Sequence, residues 1–126
     1  MASGPLILIV DSHEELRREL RRRLSQSCPH CRFEEAADGE TAVSLSLQLK
    51  PEVVLMEIIL PKTGGIETIR QIKKDRPETK VVVFSLHDET PFQQRAYEAG
   101  AVAYLGKGSP FPDILAAIRS ALGEAE

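Results

Sequence analysis

Five short runs rich in Val, Ile and Leu alternate along the chain with five stretches of helical periodicity, and this alternation leaves few folds open. Runs 5–10, 53–59 and 81–84 are apolar almost without interruption and stop at polar, Gly or Pro residues, which predicts short interior strands buried on both faces of a parallel sheet. Segments 32–37 and 102–105 are weaker strand candidates. Parallel neighbours need crossover connections, and right-handed crossovers lay the connecting helices on the two faces of the sheet. The expectation is an α/β domain built on a doubly wound, five-stranded parallel sheet with helices on both faces.

Between the strands, Leu16, Leu20 and Leu24 recur every four residues and would line the buried stripe of a helix over 14–26. Its other face carries Arg17, Arg18, Arg21 and Arg22, interleaved with Glu14, Glu15 and Glu19, and reads as a solvated surface. A second helix is expected over 39–49, with Ala42, Leu45 and Leu49 inward, ending where Pro51 disfavours helical geometry in Lys50. Gly64-Gly65 opens a third, to about 75, with Ile66, Ile69 and Ile72 on its apolar side. The fourth, 90–99, takes Thr90 as N-cap with Pro91 at its first position and stops at Gly100. The fifth, 110–122, takes Ser109 as cap and Pro110 as start, turns Ile114, Leu115, Ile118 and Leu122 inward, and ends at Gly123.

At 126 residues the chain suits one domain, 1–126, large enough to bury about two-thirds of its unfolded surface. A formal net charge of -3 offers no electrostatic footprint for nucleic acid or an anionic membrane, so neither is expected as a direct partner. The apolar runs fall far short of the ~20 residues of a spanning helix, and Asp11 cuts the first one off too early for a secretory leader. A cytoplasmic address is the resulting expectation.

Sheets of this kind bind ligands beyond the carboxyl ends of their strands. There the first strand ends in Asp11-Ser12, the third reaches Glu57, the fourth ends in Phe84-Ser85 and the fifth is followed by Gly106-Lys107. Two carboxylates, a hydroxyl and an ammonium thus converge on one edge. Such a set suits phosphoryl chemistry: one carboxylate to accept the group, another to hold a divalent cation, and a hydroxyl and a lysine to grip the remaining oxygens. His13 and His87 flank this site.

At these residues the chain resembles the receiver domain of two-component response regulators, most closely the NarL/FixJ-like branch that precedes a helix-turn-helix output domain. The matching elements are Ile9-Val10-Asp11-Ser12-His13, Asp38-Gly39 with Ala42, and Pro51 through Pro61 with Gly65. To these are added Val81 through Ser85, and Glu98-Ala99-Gly100-Ala101 through Tyr104-Leu105-Gly106-Lys107. The resemblance covers nearly the whole chain and implies a flavodoxin-like (βα)5 fold with strand order 2-1-3-4-5, acting as a signalling module and not as an enzyme.

In that family a histidine kinase passes a phosphoryl group to an aspartate on the third strand. Mg2+ is held by that aspartate, by an acidic pair after the first strand and by a backbone carbonyl two residues past the acceptor. Carried over, the acceptor position is Glu57, the acidic pair is Asp11-Ser12, and the carbonyl is that of Ile59. Ser85 matches the switch hydroxyl, Tyr104 the switch aromatic and Lys107 the phosphate-gripping lysine.

Two of these positions depart from the pattern. Glutamate adds a methylene at a site where an error of an ångström costs ~100-fold in rate, and Ser12 removes an acidic metal ligand. Mg2+ binding through Asp11, Glu57 and Ile59 is therefore expected to be weak or absent, with no other cofactor. The longer Glu57 side chain is expected to reach Lys107 or Ser85 and partly imitate a phosphorylated site. The implied function is a phosphorylation-independent receiver acting on protein partners, a histidine kinase or an output domain, with self-pairing through the 90–122 face. The alternative is a genuine phosphoreceiver regulating an attached DNA-binding domain, and the acidic end Gly123-Glu124-Ala125-Glu126 is compatible with a chain that continues.

Cys28-Pro29-His30-Cys31 supports a rival reading as a thiol redox protein. A redox helix would begin at the first cysteine, where the helix dipole lowers its pKa. Here the motif instead follows a helix and precedes a strand, on the face of the sheet opposite the proposed site. A reversible local disulfide or a metal site completed by His30 are the other readings.

Overall fold

A computed structural model describes residues 3–124; Ala125 and Glu126, half of the acidic end, lie outside the described residues. The chain runs β1 (Leu6–Val10), α1 (Glu14–Ser27), β2 (Arg32–Ala36), α2 (Gly39–Leu49), β3 (Val53–Met56), α3 (Gly65–Asp75), β4 (Lys80–Ser85), α4 (Thr90–Ala99), β5 (Ala103–Gly106) and α5 (Phe111–Ala121). All strand pairs are parallel and the sheet order is β2-β1-β3-β4-β5, the expected doubly wound topology.

Alternate residues of the strands feed two separate cores, as the two-residue period of a strand requires. Leu8, Val10, Val54, Met56, Val81 and Val83 pack with Ala42, Ile69, Ile72, Ala96 and Ala99 of α2, α3 and α4. Ile7, Ile9, Val53, Leu55, Val82 and Phe84 pack with Leu20 and Leu24 of α1 and Ile114 and Ile118 of α5. Both faces of β1, β3 and β4 are buried, which is why those runs lack polar alternation.

Several boundaries differ from the sequence reading for identifiable reasons. The third strand stops at Met56 and not at 59, because the N–H groups of Ile58 and Ile59 turn to the Glu57 carboxylate and leave the ladder. Leu16 is 37% exposed while Leu20 and Leu24 are buried: a four-residue repeat on a helix of 3.6 residues per turn drifts about 40° per step, which leaves Leu16, in the first turn, at the margin of the covered stripe. Leu49, the last residue of α2, overhangs the core at 40% exposure. Thr90 and Ser109 are not caps. The carbonyls of Glu89 and Pro110 accept the first helical bonds of α4 and α5, and neither N-terminus carries a side-chain cap. Asp38 does cap α2, its side chain accepting from the Thr41 N–H at 2.8 Å. No described helix is long and apolar enough to cross a membrane.

Candidate functional site

Glu57 sits one residue beyond β3 and is only 4% exposed. Its N–H still donates to the Val10 carbonyl at 3.0 Å, so the main chain keeps its register with β1. The side chain folds back over the strand end. Its Oε2 accepts hydrogen bonds from the N–H groups of Ile58 (2.6 Å) and Ile59 (3.1 Å) and from the Ser85 hydroxyl (2.5 Å). Its Oε1 faces the Lys107 ammonium at 3.1 Å and the Leu86 N–H at 3.3 Å.

The strand ends supply these partners. Ser85, the last residue of β4, is fully buried, and its Oγ also accepts from the His87 N–H at 3.1 Å. The backbone N–H of Lys107 donates to the Ser85 carbonyl at 2.8 Å, which fixes the root of the lysine beside the site. Its ammonium bridges Glu57 and Asp11 Oδ2, with all three side chains nearly enclosed. Asp11 Oδ1 accepts from the His13 N–H at 2.9 Å. Every carboxylate oxygen at the site therefore already faces a donor.

Burial is the largest single influence on the Glu57 carboxyl and would raise its pKa. The Ser85 hydroxyl, the Ile59 N–H and the Lys107 ammonium together outweigh it, so the group lies below its usual value and stays ionised. On the neighbouring edge strand, burial likewise works against the Glu35 carboxylate, but Arg21 and Arg17 hold it below its usual value.

Of the residues singled out in the sequence, Asp11, Glu57, Ser85 and Lys107 come together. Tyr104 on β5 stands next to them: half-buried against the α2–α4 core, its hydroxyl donates to the His87 carbonyl. Ser12 does not join the cluster and is exposed. Ile59 contributes its N–H, while its side chain is half exposed. His13 and His87 do flank the site: the His13 ring lies 3.4 Å from Asp11 Oδ1, and the His87 ring tilts against Phe92.

The sequence reading missed Arg17. It is not part of a solvated face: its Nη1 donates to the Asp11 carbonyl at 2.6 Å and its Nε to Glu35 at 2.7 Å, while Arg21 holds the other Glu35 oxygen at 2.9 Å. Strand parity carried the missing signal. Glu35 shares the face of β2 with buried Phe33, the face covered by α1, so an arginine of α1 had to meet it.

The profile of the response regulator receiver domain matches residues 7–119. The chain belongs to this family. The receiver is 36% identical over 113 residues to the response regulator GacA of Pseudomonas aeruginosa, a match covering 90% of this chain and 53% of that protein. Response regulator UvrY of Escherichia coli is 35% identical over 114 residues, again covering 90% of this chain but 52% of the relative. The receiver thus spans about half the length of these curated relatives. Among solved structures, a two-component response regulator of the LuxR family from Aurantimonas sp. superposes with a TM-score of 0.87 at 33% identity, covering 97% of this chain and 88% of the other. A CheY-like receiver from Methanospirillum hungatei gives 0.90 at 25% identity over 96% and 95% of the two chains.

Proposed function

We propose that this receiver signals without phosphorylation, the Glu57 carboxylate holding the contacts that a transferred phosphoryl group would otherwise make. The carrying observation is the saturation of that carboxylate by Ser85, Lys107 and three backbone N–H groups. A carboxylate held this way presents no free lone pair to an incoming phosphorus atom, and its burial leaves little room for in-line attack. It carries one negative charge where a phosphoryl group brings nearly two, so the imitation is partial. Tyr104, tied to the His87 carbonyl, then reports the state of the Ser85 loop to the outer face of β5.

The residues fit a divalent cation poorly. Mg2+ demands several oxygen ligands in near-octahedral array, but the Lys107 ammonium already bridges Asp11 and Glu57, and Ser12 offers no acid. No step in this reading passes through a metal.

The receiver works instead through protein partners, a histidine kinase or an output domain, without itself acting as an enzyme. The 90–122 face, where Tyr97 and Val102 are each about half exposed, serves for pairing with a second copy. The contrasting reading, a genuine phosphoreceiver, draws on the fact that Asp11, Ser85 and Lys107 all stand within reach of Glu57. Incubation with a small-molecule phosphodonor and Mg2+, followed by intact-mass analysis, separates the two. No adduct is expected; a stable acyl-phosphate on the wild-type receiver would overturn the proposal.

A further inference from the structure

At the opposite edge of the sheet from Glu57, before β2, Cys28 and Cys31 are joined in a disulfide with Cα atoms 5.5 Å apart. The motif lies at an edge rather than on the opposite face because every parallel strand begins there. We propose that, once this disulfide is reduced, Cys28, His30 and Cys31 form a three-ligand site for a thiophilic d10 cation of the zinc class, with solvent as the fourth ligand.

The geometry is that of a chelate awaiting its ion. In a tetrahedral zinc site with Zn–S near 2.3 Å and Zn–N near 2.05 Å, sulfur and nitrogen ligands are separated by about 3.6 Å and two sulfurs by about 3.8 Å. His30 Nε2 lies 3.7 Å from Cys28 Sγ and 3.9 Å from Cys31 Sγ, and its Nδ1 lies 3.6 Å from Cys28 Sγ. The imidazole already lies at ligand distance from both sulfurs, so that a turn of this exposed ring and the parting of the two sulfurs complete the site.

The backbone keeps that arrangement without the covalent link. The Cys31 N–H donates to the Cys28 carbonyl at 3.0 Å, closing a turn, and Pro29 presets its second position. The His30 carbonyl accepts from the Gly4 N–H at 2.8 Å. A Cβ on Gly4 would come within 2.5 Å of that carbonyl and 2.8 Å of the imidazole Cδ2, so the ring rests on a face that only glycine leaves open. The two cysteines are buried in the core that also holds Leu20, Leu24 and Phe33, while His30 is exposed, which leaves one side of the site to water.

Loading the site takes two steps. A dithiol reductant gives two electrons and two protons to the disulfide, yielding two thiols and its own cyclic disulfide. The cation then displaces one proton from each thiol as two thiolates and the neutral imidazole bind it. Oxidation and metal binding exclude each other, so the segment between α1 and β2 is closed by a covalent bond in one state and by an ion in the other. This site is independent of the reading of Glu57.

The test uses the whole chain, reduced with a phosphine until two thiols titrate, and Co2+ as a spectroscopic stand-in for Zn2+. Expected are a 1:1 end-point, sulfur-to-cobalt charge-transfer absorption with tetrahedral visible bands, loss of both on adding Zn2+, and no signal from the oxidised protein. Exposed His30→Ala keeps both cysteines and should weaken Zn2+ at least about tenfold; Cys28→Ser should abolish the charge-transfer band. The proposal is overturned if the disulfide resists excess phosphine, if the reduced protein shows no charge-transfer band, if His30→Ala binds as tightly as wild type, or if the oxidised chain binds equally well.

Discussion

Lys107 holds the charge balance of the site, because its ammonium is shared by Asp11 and Glu57. Replacing it with methionine leaves two enclosed carboxylates facing each other. The expected loss at neutral pH is about 3–5 kcal/mol, read from urea unfolding. Glu57 gives a second prediction. Its folded-state pKa is depressed, so the stability it contributes is fully present above its unfolded value of about 4.3 and is lost as pH falls through the lower folded value. The stability difference between wild type and Glu57→Gln should therefore be constant near neutrality, about 1–3 kcal/mol, and decline only below about pH 4. A difference that vanished already at pH 6 would contradict the depressed pKa. These residues were readable in the chain because each stands at the end of an apolar run. The donors from Ile58, Ile59 and Leu86 were not: every residue carries a backbone N–H, and nothing in side-chain chemistry marks which ones turn toward a carboxylate.

At the scale of elements, Asp38 and Gly65 set the helices that flank the site. Asp38 accepts from the Thr41 N–H, which together with that residue's hydroxyl holds the carboxyl below its usual range. Asp38→Ala should cost about 1 kcal/mol, and the cost should fade in acid. Gly65 lets α3 approach the Glu57 loop, its N–H donating to the Ile58 carbonyl at 2.7 Å. An alanine Cβ would lie 2.4 Å from that carbonyl and 2.5 Å from the Ile58 Cα, both backbone atoms. Gly65→Ala should push the loop away and lower the thermal midpoint more than Gly64→Ala, where the space is open. All ten elements were legible from apolar periodicity. Their ends were less so, since Glu89 and Pro110 start helices through a carbonyl that has no side-chain signature. The leucine repeat misled at Leu16 because spacing fixes an angle, whereas burial also depends on how far the covering sheet extends.

For the whole molecule, topology and family followed from the order of strands, helices and strand-end residues, while the covalent state of Cys28 and Cys31 did not, since a C-x-x-C spacing serves thiols, disulfides and metals alike. On the proposed reading, metal binding depends on positions 12 and 57 together. Glu57→Asp alone should leave Mg2+ affinity low, because Ser12 still offers no acid; the double variant with Ser12→Asp should bind it well by calorimetry. Full recovery from the single change would mean that Ser12 matters less than its exposure and chemistry imply. The most direct measurement follows the Glu57 carboxyl carbon by NMR through an acid titration, with and without Mg2+. A carboxylate sustained by Ser85, Lys107 and the backbone should titrate below the usual glutamate value of about 4.3 and ignore added Mg2+. A carboxyl that titrates above that value, or moves when Mg2+ is added, would contradict the account.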